Sequence, residues 1–436
     1  MPPLTRRKFV TLSAAGLASL GGTRAILAKD RKKREAELQA DIKGLALRSE
    51  TMFLTWQRDP TTTMTIQWVA PAVASANGSA GAVNIHYAGA NQDAWKTVAV
   101  QQRPYHPESD LRVFRAEMTG LTPGSEYQFR TGPGSTAHRF RTMPAKATNA
   151  FQFVSGGDCG ANEHVVANNI LAAKQDPMFA LIGGDLAYDN GHDLRANLAF
   201  LRNYGRHMVD GQGRMIPLVP CIGNHEVKGS YGATRADGPL FFSLFDGLFA
   251  ERSFATLDFG DYLSLVLLDS GHVAPIDGEQ TDWLGQSLAQ RAERSHLLVV
   301  NHVPSYPCFR KLEGADGKPG TGELSRAHWV PLFEKHNVDL VLEHHDHAFK
   351  RTHLLKDGHI DAGGILYLGD GSWGKIRAPK PPEERPYLAA SAEAYHLTLH
   401  RLEGEQRFHM AIADTGRIVD ICMTHKRPRR RLGRGA

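Results

Sequence analysis

Cysteine is scarce in this chain of 436 residues: Cys159, Cys221, Cys308 and Cys422 are the only four, and no two stand in a CxxC spacing. That argues against a disulfide framework and leaves buried thiols or at most one structural bridge. Long apolar runs are also missing. The one N-terminal apolar stretch is rich in Gly, Ala and Ser and too short to span a bilayer, so no transmembrane segment is expected in the mature chain. No internal repeat occurs, which excludes solenoids and propellers. With 43 glycines and 23 prolines the composition does not signal extensive disorder. A charge excess is absent too, once its placement is considered. The formal +5 comes from the ends, with Arg6, Arg7, Lys8 and Arg24 at one and Lys426, Arg427, Arg429, Arg430, Arg431 and Arg434 at the other. The body between is mildly acidic, so no specific nucleic-acid binding is expected.

What the ends do contain is directional. TRRKFV, with Arg6 and Arg7 before Phe9, resembles the twin-arginine signal that exports folded proteins. Residues 1–28 therefore read as a removable signal that engages the twin-arginine translocase and places the product in the periplasm or outside the cell, with Ala25 and Ala28 as candidate cleavage positions. Residues 29–46 read as a charged linker. Residues 426–436 have too little apolar character to pack and read as a basic disordered tail.

Between these lie two patterns. Over 47–146, MTIQWVAP, AVNIHYAG, WKTVAV, FRAEMTGL, YQFRTG and HRFRTMPA are short alternating strands separated by turn residues, a small antiparallel sandwich with Trp68 in its core. LTPGSEYQF, with Tyr127 after a Pro-Gly turn, resembles the fibronectin type III pattern. Over 147–425, buried strands alternate with helical or loop segments: FQFVSGG, FALIGG, MIPLVPCI, YLSLVLLDS, HLLVVNH, VDLVLEHH, GILYLGDG, YHLTLHRLE and RFHMAIAD. EQTDWLGQSLAQRAE has helical spacing for Trp283, Leu284 and Leu288. The pattern predicts an α/β unit of two mixed sheets flanked by helices, four layers in all.

Five of those apolar runs end in metal-ligand residue types: Asp158, Asp185, Asn224, His302, and His345 with His347. The C-terminal ends of strands are where α/β folds build sites. With Tyr188, three residues beyond Asp185, the set is seven groups, enough for two metals sharing a bridging carboxylate. Carboxylate, amide and imidazole donors suit Fe, Zn or Mn, three histidines argue against Ca or Mg alone, and a phenolate favours Fe(III). Oligomeric state is not legible.

The ordered motifs GDCG, GDLAY, GNHE, VVNH and HHDH resemble the purple acid phosphatases within the calcineurin-like metallophosphoesterases, over about residues 45–425. The resemblance implies Asp158, Asp185, Tyr188 and His347 on Fe(III), and Asp185 bridging to a divalent Fe, Zn or Mn held also by Asn224, His302 and His345. It implies His225 as the group that touches substrate oxygen and serves the leaving group, with a metal-bound hydroxide attacking phosphorus in line. Gly160 stands where other metallophosphoesterases carry the histidine of D-x-H, and Tyr188 supplies the missing ligand. The implied activity is a phosphomonoesterase acting on a small phosphate ester. A phosphodiesterase or nucleotide hydrolase on the same site, and a metal-binding envelope attachment protein, are the alternatives.

Three positions depart from the family pattern. His344 replaces the glycine of Gly-His-x-His, where a side chain either crowds the loop or adds a hydrogen bond. Phe349 stands where many relatives have tyrosine. The loop VPSYPCFRKLEG offers Arg310 and Lys311 where plant members carry a histidine pair. These cations suit phosphate but donate no proton near neutral pH, which leaves an acidic optimum unsupported. His164 is a further candidate at the pocket rim; His272 and His353 read as surface histidines, and the GDGSWG stretch around Asp370 as a turn.

Overall fold

The structure, a computed structural model, describes residues 51–72, 83–132, 134–147 and 149–426. The signal, the linker and all of the basic tail but Lys426 lie outside them. No helix among the described residues is long and apolar enough to cross a membrane.

The N-terminal unit is all-β, two four-stranded antiparallel sheets. One orders Phe53–Thr55, Met64–Pro71, Leu111–Met118 and Gln101–Pro104; the other orders Lys96–Ala99, Asn84–Gly89, Glu126–Arg130 and His138–Arg141. Trp68 stacks on Phe114 with ring centres 5.2 Å apart, filling the sandwich as its strand position demands. The Tyr127 hydroxyl accepts the Thr122 main-chain N–H at 2.8 Å, so the Pro-Gly turn is tied to the strand that follows it. Two strands that sequence did not mark, Phe53–Thr55 and Gln101–Pro104, complete the sheets.

The second unit has two mixed sheets. The six-stranded one runs Leu218–Pro220, Ala180–Ile182, Phe151–Gly156, His396–Glu403, Gln406–Ala413, Ile418–His425. The seven-stranded one runs Ala255–Phe259, Leu263–Leu268, His296–Asn301, Leu340–Glu343, Leu366–Asp370, Phe349–Thr352, Leu388–Ala392. Parallel strands form one side of the first sheet, from Leu218–Pro220 to Phe151–Gly156, and the middle of the second, from Leu263–Leu268 to Leu366–Asp370; they are almost wholly buried and mostly apolar, as burial on both faces requires. Helices Glu163–Lys174 and Leu194–His207 belong to the first sheet's side, and Glu279–Arg291 buries Leu284 and Leu288 against the second. Trp283 on that helix is half-buried, its ring 4.7 Å from Phe254.

One hydrophobic cluster runs through both units, from Phe53, Trp56 and Phe114 to Phe153, Phe179 and Phe245. Trp56 meets Phe179 and Phe259 edge-on at 6.1 and 5.8 Å. Polar ties reinforce this seam: Arg115 reaches Asp246 at 2.8 Å, and Thr55 donates to the Leu218 carbonyl at 2.8 Å. All four cysteines are free, three of them buried.

Candidate metal centre

Five parallel strands, three from one sheet and two from the other, end at the same edge, and the chain leaves each of them through a tight turn. Phe151–Gly156 delivers Asp158, Ala180–Ile182 delivers Asp185, and Leu218–Pro220 delivers Asn224; His296–Asn301 delivers His302, and Leu340–Glu343 delivers His345 and His347. The paired glycines before Asp185 make this convergence sterically feasible. A Cβ on Gly183 would lie 1.7 Å from His344 Nε2, and one on Gly184, where φ is +98°, 2.6 Å from His302 Nδ1.

The seven side chains form two groups. In the first, Tyr188 donates to Asp158 Oδ1 at 3.1 Å and stands 3.1 Å from His347 Nε2, which is itself 3.0 Å from Asp158. In the second, His302 Nε2 lies 3.1 Å from Asn224 Oδ1, 3.1 Å from His345 Nδ1 and 3.3 Å from Asp185 Oδ2. Ligand atoms of Asp158, Asp185, His302 and His345 all fall within 4.8 Å of one another, so the two groups share one enclosed space. His302 Nδ1 donates to the Gly183 carbonyl at 2.9 Å, so Nε2 is the nitrogen that faces the cluster.

Five of the seven have left-handed backbone: Asp158 (φ 58°), Asp185 (52°), Tyr188 (59°), His345 (66°) and His347 (55°). An L-residue held there costs about 1–2 kcal/mol, and such strain concentrates where surrounding structure over-determines it for function. Electrostatics agree with shared charge. Burial works to raise the Asp185 pKa, but His302, His225 and His345 overcome it and hold the carboxyl far below the usual range. Burial would lower His302, and Asp185 with Asp158 instead push it up to about 9.

A metal pair fits these residues. Asp185 Oδ2, buried, has His302 Nε2 at 3.3 Å and His225 Nε2 at 3.9 Å, and His302 Nε2 has His345 Nδ1 at 3.1 Å, so donor atoms converge on one enclosed point where a cation would take their lone pairs. The donor set, oxygen-rich around Asp158 and imidazole-rich around His302, suits transition metals.

Around the cluster, the structure adds groups that sequence reasoning missed. Asn190 Oδ1 lies 2.5 Å from His225 Nδ1, and the His225 ring packs tilted against that of Tyr188 with centres 4.3 Å apart, its Nε2 3.9 Å from Asp185 Oδ2. Glu226 accepts from the main-chain N–H of Asp185, Leu186 and Gly223 at 2.6–2.8 Å, fixing the Asp185 turn. Burial beside Asp185 pushes its carboxyl up to about 8. Tyr231 is 50% exposed and brings its hydroxyl within 3.4 Å of His345 Nε2. Lys375 holds its ammonium 4.1 Å from the centre of the Tyr188 ring.

Other candidates take places of their own. Arg310 donates to the His345 carbonyl at 3.1 Å and lies 3.5 Å from Asp346, so its guanidinium braces the loop of His345. Lys311 is exposed. His164 pairs with Asp414 at 2.6 Å and stacks on Tyr395 at 3.6 Å, outside the cluster. His353 is exposed as expected, but His272 corrects the surface reading: it is buried, 5.7 Å from His302 between ring centres, because Asp269 accepts its main-chain N–H and the Ser230 carbonyl its Nδ1–H. His344 does not crowd the loop. Its ring fills the space that Gly157 and Gly183 leave open and sets Nδ1 2.8 Å from Asp370 Oδ1, which makes Asp370 a buried partner as well as a strand end.

Comparison with known proteins follows the same division. Residues 49–152 match the profile of the purple acid phosphatase N-terminal domain, and residues 155–349 that of the calcineurin-like phosphoesterases. Human acid phosphatase type 7 is 24% identical over 342 residues, 71% of this chain and 76% of that protein. An uncharacterized protein of Mycobacterium tuberculosis is 24% identical over 408 residues, 81% of this chain and 72% of its own length. The solved purple acid phosphatase from yellow lupin seeds shares the fold with a TM-score of 0.70 at 15% identity, covering 86% of this chain and 74% of that one. With both domains matched in order, the chain belongs to the purple acid phosphatases of the calcineurin-like phosphoesterase superfamily.

Proposed function

We propose that this chain is an exported phosphomonoesterase that acts on small phosphate esters with Fe(III) and a divalent Fe, Zn or Mn. The observation that carries the reading is Asp185: a buried carboxylate whose ligand atom lies within 4.8 Å of those of Asp158, in a Tyr188–Asp158–His347 group, and of His302 and His345, in an Asn224–His302–His345 group. The first group would hold Fe(III), the second the divalent ion, and Asp185 both. When bound, the pair supplies a nucleophile at neutral pH and neutralises phosphoryl charge.

The protein's own residues do the rest. The Asn190 amide oxygen takes the Nδ1–H of His225, so Nε2 is the nitrogen that meets the ester, and the imidazolium form passes its Nε2 proton to the leaving oxygen and is left as the neutral Nδ1–H tautomer. Partial burial pulls the His225 pKa below its usual value, against the pull of Asp185, which eases release of that proton. Glu226 and the Gly183 carbonyl hold Asp185 and His302 against rotation. The twin-arginine motif at Arg6 and Arg7 supports the export half of the reading.

The test is metal analysis of the purified protein together with a visible spectrum and parallel assays on a phosphomonoester and a phosphodiester. Two metals including iron, a tyrosinate band and faster monoester turnover are expected. Faster diester turnover would replace the monoesterase by a phosphodiesterase, and a metal-loaded protein inert to both would discard the hydrolase.

A further inference from the structure

The loop that carries Tyr188 is held from the other domain. Tyr105, just past the sandwich strand Gln101–Pro104, donates its hydroxyl to Asn197 Oδ1 at 2.5 Å. Asn197 Nδ2 donates to Asp189 Oδ2 at 2.5 Å. All three side chains are buried. Asp189 in turn gathers the loop: its Oδ1 accepts the Gly191 N–H at 2.8 Å, and its carbonyl accepts those of His192 and Asp193 at 3.1 and 2.8 Å. Asp193 caps the helix Leu194–His207, on which Asn197 sits, so loop, cap and helix close into one hydrogen-bonded unit.

The loop needs such an anchor. Tyr188, Asn190 and Gly191 all have left-handed φ, 59°, 53° and 73°, a run that relaxes unless its surroundings fix it. Its flanking side chains are the ones that matter for chemistry, Tyr188 in the first ligand group and Asn190 on the His225 ring.

We infer that the N-terminal sandwich is a working part of the catalytic apparatus, with Tyr105 acting as a positioning residue that fixes loop 188–191, and through it His225 and Tyr188, by way of Asn197 and Asp189. The inference deepens the hydrolase reading and rests on it for its kinetic arm alone.

The experiment compares Tyr105→Phe, which removes only the hydroxyl, with Phe114→Leu, which loosens the sandwich core away from the relay. Both are followed by kcat and KM, by thermal midpoint, and by amide hydrogen exchange at Gly191, His192 and Asp193 in the folded full chain. Tyr105→Phe is expected to lower kcat about 3- to 30-fold with KM little changed, and to speed exchange at those amides. Phe114→Leu is expected to lower the midpoint while leaving kcat and loop exchange as in wild type. Asn197→Ala cuts the relay from the catalytic side and is read the same way should Tyr105→Phe fold poorly. Unchanged exchange in the Tyr105 variant, or equal kinetic loss in Phe114→Leu, overturns the inference. A wild type without ester turnover overturns the hydrolase reading instead, and the exchange arm still decides the relay.

Discussion

Asn190 Oδ1 stands 2.5 Å from His225 Nδ1, and this contact decides which imidazole nitrogen faces the ligand cluster. An amide oxygen only accepts, so Nδ1 carries the hydrogen and Nε2 is turned inward. His225→Ala should lower kcat by about 10²–10⁴-fold. Asn190→Ala should lower it less, because the ring then samples both tautomers and only one turns the right nitrogen to the substrate. Steady-state kinetics across pH decide this; a His225→Ala enzyme with wild-type kcat would remove the residue from the reaction.

Tyr188 bears on colour. Tyr188→Phe leaves the ring between His225 and Lys375 but takes away the oxygen 3.1 Å from Asp158 and His347. A visible charge-transfer band present in wild type is expected to vanish while circular dichroism stays the same. Persistence of the band would assign it to another ligand.

Asn224 and His302 meet at 3.1 Å on the imidazole-rich side. Asn224→Ala or His302→Ala should therefore lose divalent metal and activity together, with iron content largely kept, as read by elemental analysis beside the assay. Full activity with one metal missing would contradict a two-metal site.

Stability has its own test at Glu343 and Lys350, a fully buried ion pair just ahead of the His345 loop. Glu343 also accepts the Ser305 N–H at 2.6 Å. Removing one partner strands the other charge, so Lys350→Met should cost about 3–5 kcal/mol in denaturant unfolding, and adding Glu343→Leu should restore part of it. A double variant no more stable than the single would show that the cost lies in packing.

Acid should weaken the fold through its buried histidines. Burial pulls His400 down to about 4 and His296 to about 3, from 6.5 in the unfolded chain. Below pH 6.5 the unfolded state binds the extra protons, so this stability is complete above 6.5 and drains away as pH falls through 4. For His400 that is on the order of 3 kcal/mol. The thermal midpoint should drop between pH 7 and 4, and His400→Asn should flatten the drop. An equal slope in that variant would assign the acid sensitivity to other groups.

The strands that build the site were legible because parallel strands are buried on both faces and read as short apolar runs such as LLVV at 297–300 and LVL at 340–342. Ala255–Phe259 alternates buried with half-buried residues, and the edge strand Ile418–His425 is half-exposed throughout, so neither stands out by that signal. The candidate ligands were legible by their motifs at those strand ends. Asn190, Tyr231 and Lys375 were not, because each sits on a loop without periodicity and gains its place from chains far away in sequence. His272 shows the same limit, since only the packing of its loop against Ser230 buries it.

The left-handed backbone at five of the candidate ligands also bears on how such a sequence changes over generations. Glycine at any of these positions would relieve the local backbone strain, while at Asp158 and Asp185 it would also remove the carboxylates that accept the His345 and His225 N–H groups. The phenol of Tyr188 and the imidazoles of His345 and His347 therefore stand in turns that would be easier for glycine, and a lineage released from its chemistry would lose those side chains before the two carboxylates.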